Sequence, residues 1–149
     1  MKKLIFICLI VLITISCTQN KKVEQTTTQS TEITAVTNDV VEVIYFHGTQ
    51  RCFTCQAIEA ETKSLIESSF ADAITNKELV LKIVDISKPE NEAIADKYEV
   101  AWSSLFVNDW KNGQESVNNL TEFAFANARS NPDAFKQGLS EKINELMSN

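Results

Sequence analysis

The chain has 149 residues, 44% of them apolar and 23% charged, a size and balance that suit one globular domain with a real core and hardly two. Its net charge of −6 argues against nucleic acid as a partner, because phosphate backbones are bound through basic surface.

Residues 1–16, MKKLIFICLIVLITIS, place Lys2 and Lys3 before about a dozen apolar residues, fewer than the ~20 a spanning helix needs. That is the build of a signal peptide. Cys17 follows Thr14-Ile15-Ser16, which resembles a bacterial lipobox and implies lipidation of Cys17 and periplasm-facing attachment to the cell envelope. Ordinary signal cleavage and an uncleaved anchor are the alternatives. Residues 17–38 continue in Thr, Gln and Asn without Gly, Pro or sustained periodicity, and such a stretch cannot bury enough surface to offset its ordering entropy. It reads as a flexible tether with a reach of roughly 25 Å. Loss of Lys2 and Lys3 with the signal leaves 12 basic residues against 20 acidic, so attraction to anionic lipid is not the anchoring device.

The domain is expected over residues 39–149. Val40 to Phe46 is almost continuously apolar and β-branched, the pattern of a strand buried on both faces. His47 to Arg51 forms a turn, and from Cys52 the spacing becomes helical, with Ile58, Thr62, Leu65, Ile66, Phe70, Ala73 and Ile74 on one face. Without Gly or Pro between 52 and 76, this predicts one long helix or two joined by a bend. Residues 79–86, LVLKIVDI, give a second buried strand, and strand–helix–strand implies a parallel pair with a right-handed crossover. Ser87 is placed to cap a helix that has Pro89 in its first turn and ends near Tyr98. Two short strands flank Asn112-Gly113, a strong hairpin signal. A helix near Thr121–Ala128 follows, then one from Pro132 to Met147, capped by Asn131 and burying Phe135, Leu139, Ile143 and Leu146.

Four cysteines are present, with Cys8 inside the expected signal and Cys17 expected to carry lipid. Cys52 and Cys55 remain, a Cys-x-x-Cys pair in a chain addressed to an oxidising compartment, which favours redox chemistry over a fixed cross-link. Zinc or copper(I) binding by Cys52, Cys55 and His47, the only histidine in the chain, is the alternative, since both metals accept thiolate and imidazole. No flavin or nicotinamide fingerprint is visible, so no cofactor is expected.

The order β-α-β-α-β-β-α, with Cys52-Phe53-Thr54-Cys55 after a strand, resembles thioredoxin, and DKYEV leading into LFV resembles the approach to its third strand. The resemblance implies an α/β thioredoxin-like fold: a central mixed sheet of about four strands, helices on both faces and an extra C-terminal helix. More narrowly, YFHGTQRCFTC with LTEFAFANAR resembles the ArsF-type thioredoxin-fold lipoproteins, a group that carries the name of a nitrophenyl-compound nitroreductase subunit.

On this resemblance Cys52 sits exposed at a helix N-terminus, where unpaired N–H groups and the Arg51 cation favour the thiolate. Cys55 is the more buried, resolving thiol, and Cys52–Cys55 is the reversible disulfide. The implied partners are protein or small-molecule thiols and disulfides. Where thioredoxins carry a cis-proline this chain has Ser103-Ser104, expected in trans and able to offer a free N–H or hydroxyl to a substrate. Thioredoxin's buried strand acid has no counterpart here. Trp102 and Trp110 are expected in packing or hairpin roles, Asp85 in turn chemistry, and one of Phe123 and Phe125 at the surface. A non-catalytic subunit of a larger redox complex is the third functional reading.

Overall fold

The computed structural model describes residues 39–149; the expected signal peptide, the tether and Cys17 lie outside the described residues. Strand β1 (Val40–His47) is the spine of the sheet, and Val43, Ile44, Tyr45 and Phe46 are each 0% exposed. A strand that presents bulky apolar residues on both sides must be covered on both, and two helical layers do so.

β1 pairs in parallel with β2 (Leu79–Asp85) and antiparallel with β3 (Ser104–Lys111), which pairs antiparallel with β4 (Gln114–Ser116). The sheet order is β2-β1-β3-β4. The parallel pair requires a crossover, supplied by α1 (Phe53–Ser69) and α2 (Ala71–Thr75). The break between them falls at Phe70, which leaves helical geometry at φ −128° and buries its ring in the core. No Gly or Pro is needed for such a bend when one aromatic gains more from the core than from continuing the helix.

A 3₁₀ turn (Pro89–Asn91) and α3 (Glu92–Lys97) lead to the second half of the sheet. Ser87 does not cap this segment as expected. Its N–H and hydroxyl both donate to Asp85 Oδ1, closing the turn after β2. The β3–β4 hairpin turns through Asn112 and Gly113 at φ 52° and 76°, the left-handed pair that a two-residue hairpin requires.

α4 (Thr121–Asn127) and α5 (Pro132–Ser148) join α1 on one face of the sheet. Asn131 caps α5, its side chain accepting from the Ala134 N–H at 3.3 Å, with Pro132 in the first turn. Phe135, Leu139 and Ile143 are 0% exposed, each contributing about 1.5–3 kcal/mol of burial, so α5 holds this face more firmly than its sparse capping suggests. Gly138 lets α4 approach, since a Cβ there would lie 2.5 Å from the Phe123 ring, which stacks on Phe135.

The opposite face carries Ile44, Phe46, Val84, Phe106 and Tyr98. Beyond them runs a polar row that the apolar look of β1 conceals. Glu42, 2% exposed, pairs with Lys82 at 2.5 Å. Asn108, 0% exposed, donates to the Tyr98 hydroxyl and to Glu115 Oε1, and accepts from the Asn118 N–H. Tyr98 donates to the same carboxylate, and burial, with Glu115, raises its pKa.

Candidate active site

The turn after β1 delivers the chain to α1 at Cys52, which is the N-cap: extended at φ −68° and ψ 162°, with its Sγ accepting the Cys55 N–H at 3.0 Å. This is the position where an orphan backbone donor most favours a negative sulfur. Cys52 is exposed, Cys55 is 7% exposed, and the two are disulfide-bonded with their Cα atoms 5.0 Å apart. One sulfur is therefore open to a substrate and the other is held behind it, one helical turn further in.

The sheet order, the mixed strand directions, the crossover through α1 and the cysteine pair at its N-terminus together decide the architecture. The fold is thioredoxin-like. No family model and no curated protein sequence matches the chain. Among solved structures it is similar to thioredoxin-2 of the malaria parasite, described as a component of that organism's protein secretion machinery, at 23% identity and TM-score 0.39 over 55% of this chain and 71% of that one. It is also similar to a second malarial protein at 20% identity and TM-score 0.37, over 58% of this chain and 93% of that one. The assignment rests on the strand order and the helix-capping cysteine, not on these loose superpositions.

Tyr45 anchors the site from beneath, a role the sequence reading missed. It is fully buried in β1, and its hydroxyl donates to the Cys55 carbonyl at 2.7 Å, tying the first turn of α1 to the sheet. A polar-tipped aromatic two residues before the end of a buried strand was the available signal, because a buried Tyr hydroxyl requires a partner.

Arg51, expected to favour the Cys52 thiolate, is engaged by an acid of α1. Its guanidinium donates to Glu59 and lies 5.9 Å from the Tyr45 ring centroid. Burial works against the Arg51 charge, but Glu59 and Tyr45 together raise its pKa. Burial would likewise raise the Glu59 carboxyl, yet hydrogen bonds from Lys63 and Arg51, with their charges, hold it below the ordinary carboxylate range. Glu59 stands one turn beyond Cys55 and clamps the residue before the N-cap to the body of the helix. The contact observed at Cys52 Sγ is the backbone N–H of Cys55, while the Arg51 charge is shared with Glu59.

His47 ends β1 partly buried, with Nδ1 3.1 Å from the Gly48 carbonyl and its ring stacked near Tyr45. A carbonyl only accepts, so Nδ1 carries the proton in this contact. Among the described residues no three His, Cys, Asp or Glu side chains are disposed to hold a metal ion. In this oxidised form the imidazole turns back to its own strand end and the sulfurs bond to each other; the metal alternative for Cys52, Cys55 and His47 concerns the reduced pair.

Ser103 and Ser104 are brought to the same end of the sheet, Ser104 opposite Phe46 at the start of β3. Both are buried, and no cis peptide occurs among the described residues, as expected for Ser-Ser. The Ser104 hydroxyl is not free for a substrate: it donates to the Trp102 carbonyl at 3.1 Å. Trp102 itself is 69% exposed rather than packed. Trp110 lies in the hairpin, opposite Glu115, with Lys97 5.0 Å from its ring centroid. Asp85 performs turn chemistry, and the Ser87 hydrogen bonds hold its carboxyl below its usual range. Of the α4 pair, Phe123 packs into the core and Phe125 is exposed.

Proposed function

We propose that the chain is a thiol–disulfide oxidoreductase of the cell envelope, tethered through lipid on Cys17, with Cys52 attacking and Cys55 resolving. What carries the reading is the asymmetry of the pair. Cys52 is exposed and receives a backbone N–H at the start of α1, while Cys55 is buried behind it.

In the reducing direction, the Cys52 thiolate attacks one sulfur of a substrate disulfide. The Cys52–substrate bond forms, the substrate S–S bond breaks, and the departing thiolate takes a proton. Cys55 then loses its proton to water and attacks Cys52 Sγ, releasing the second substrate thiol. Two electrons have passed to the substrate, and the protein is left as the disulfide seen here. A dithiol donor would regenerate it, and an oxidant with the same pair would run the sequence backwards. The β1 residue that meets Cys55 is Tyr45 rather than an acid able to take the Cys55 proton, which favours modest rates over thioredoxin-like ones.

The motifs YFHGTQRCFTC and LTEFAFANAR support the finer reading of an ArsF-type lipoprotein working beside a nitroreductase. The main test is turnover of a model disulfide by the purified protein. Cys52→Ser should abolish turnover, and Cys55→Ser should accumulate the mixed disulfide on Cys52. Undiminished turnover by Cys52→Ser would refute the proposal.

A further inference from the structure

Two arginines contact residues that flank the cysteine pair, and they are in different states. Arg51 is engaged by Glu59. Arg129, just past the end of α4, forms no ion pair among the described residues, is exposed, and holds its guanidinium 5.5 Å from the centroid of Phe53. Phe53 is the residue next to Cys52, and it is 75% exposed. An aromatic ring so open to water contributes little to the core. Its contact instead holds a positive charge without an ion-pair partner against the residue that follows Cys52, in a protein that is acidic overall.

We infer that Phe53 and Arg129 form a recognition element for polypeptide disulfides with an acidic residue adjacent to the cysteine. The inference rests on the oxidoreductase reading above and deepens it by naming the substrate class. The guanidinium is planar and carries five N–H donors, and with its carbon 5.5 Å from the Phe53 centroid and no ion-pair partner among the described residues it can offer a pair of them to a carboxylate in bidentate geometry. Trp102, 69% exposed and two residues before the Ser104–Phe46 pair, places a second apolar surface at the same end of the sheet. Both aromatic rings stand open to solvent, and the two cavities described lie elsewhere, one between the start of β1 and the end of α5 and the other beside α2 and β2. A small molecule is normally bound in a concave pocket, whereas an open platform of aromatic and Arg surface suits a polypeptide. Charge complementarity at Arg129 selects the acidic one.

The test compares kcat/KM for two blocked pentapeptide disulfides, identical except for Glu or Gln beside the cysteine. For an exposed ion pair the expected preference for the Glu peptide is about fivefold at low ionic strength, shrinking in 0.5 M salt. Arg129→Gln should bring the ratio to about one. Lys142→Gln, which removes the same charge from distant α5, should leave the ratio in place. A ratio near one in the unaltered protein, or a ratio that Lys142→Gln lowers as much as Arg129→Gln, overturns the inference while the thiol chemistry stands. Faster turnover of bis(2-hydroxyethyl) disulfide, which has neither peptide nor charge, than of the Glu peptide overturns the polypeptide assignment. Failure to turn over any disulfide removes the oxidoreductase reading itself.

Discussion

Replacing Tyr45 with Phe keeps the buried ring and deletes one donor, so it isolates the bond that ties the cysteine turn to the sheet. That bond is 2.7 Å long and its donor side chain is 0% exposed, so water cannot replace it in the folded state. A net intramolecular hydrogen bond contributes about 0.5–1.5 kcal/mol. The Cys55 carbonyl keeps its helical partner four residues on, which removes the larger penalty of an orphaned acceptor. The expected loss is therefore near the middle of that range, about 1 kcal/mol. With a urea m-value of roughly 1–2 kcal/mol per molar for a domain of this size, the unfolding midpoint should fall by about 0.5–1 M. Tyr45→Ala also removes the ring and the Arg51 contact, and should cost about 3–5 kcal/mol. Equilibrium urea unfolding of the oxidised protein, followed by tryptophan fluorescence, makes the comparison. A Tyr45→Phe midpoint unchanged within about 0.1 M would show that the hydroxyl does not anchor the helix.

Glu59→Gln should destabilise the protein by about 1–2 kcal/mol at neutral pH, because the carboxylate bridges Arg51 and Lys63. The Glu59 pKa is lowered by folding. Its contribution is therefore complete above the unfolded pKa of about 4.3 and lost as pH falls through the lower folded value, so parent and variant should converge in acid unfolding. A difference that persists undiminished at pH 2 would contradict the ion-pair account. Asn108→Leu should cost about 2–4 kcal/mol, since it leaves Glu115 and the Asn118 N–H short of partners in a buried network; thermal unfolding reads the loss. Gly138→Ala gains about 1 kcal/mol of helix propensity but drives a Cβ into Phe123. Net destabilisation and a disturbed Phe123–Phe135 stack, read from the aromatic near-ultraviolet signal, are the expected result.

The elements were legible because their signals are local and redundant. Val40 to Phe46 is apolar on both faces, Asn112-Gly113 is a two-residue hairpin, and Asn131-Pro132 opens a helix. The break at Phe70 was legible only as a bend, because it depends on where one ring finds the core rather than on a breaker residue. The cysteine pair was readable from spacing and context, but its surroundings were not. Arg51 stands next to Cys52 in sequence, yet a long side chain goes to the strongest partner within reach, and that is Glu59, eight residues on. By spacing Glu59 falls on the face of α1 away from the apolar stripe, and Tyr45 sits inside the apolar run of β1, so neither pattern singles out its role. Trp102 gave no periodic signal, since it lies in the loop before β3. The Phe53–Arg129 contact joins positions 76 residues apart in sequence, and only the docking of α4 onto α1 brings them together.

The central claim is that Cys52, not Cys55, is the attacking sulfur, made acidic by its place at the start of α1. Timed alkylation of the reduced protein across pH, with the labelled cysteine identified by mass spectrometry, tests it most directly. Cys52 should be labelled first and titrate below the ordinary thiol pKa of about 8.5. Earlier labelling of Cys55, or a Cys52 that titrates at or above that value, would contradict the account.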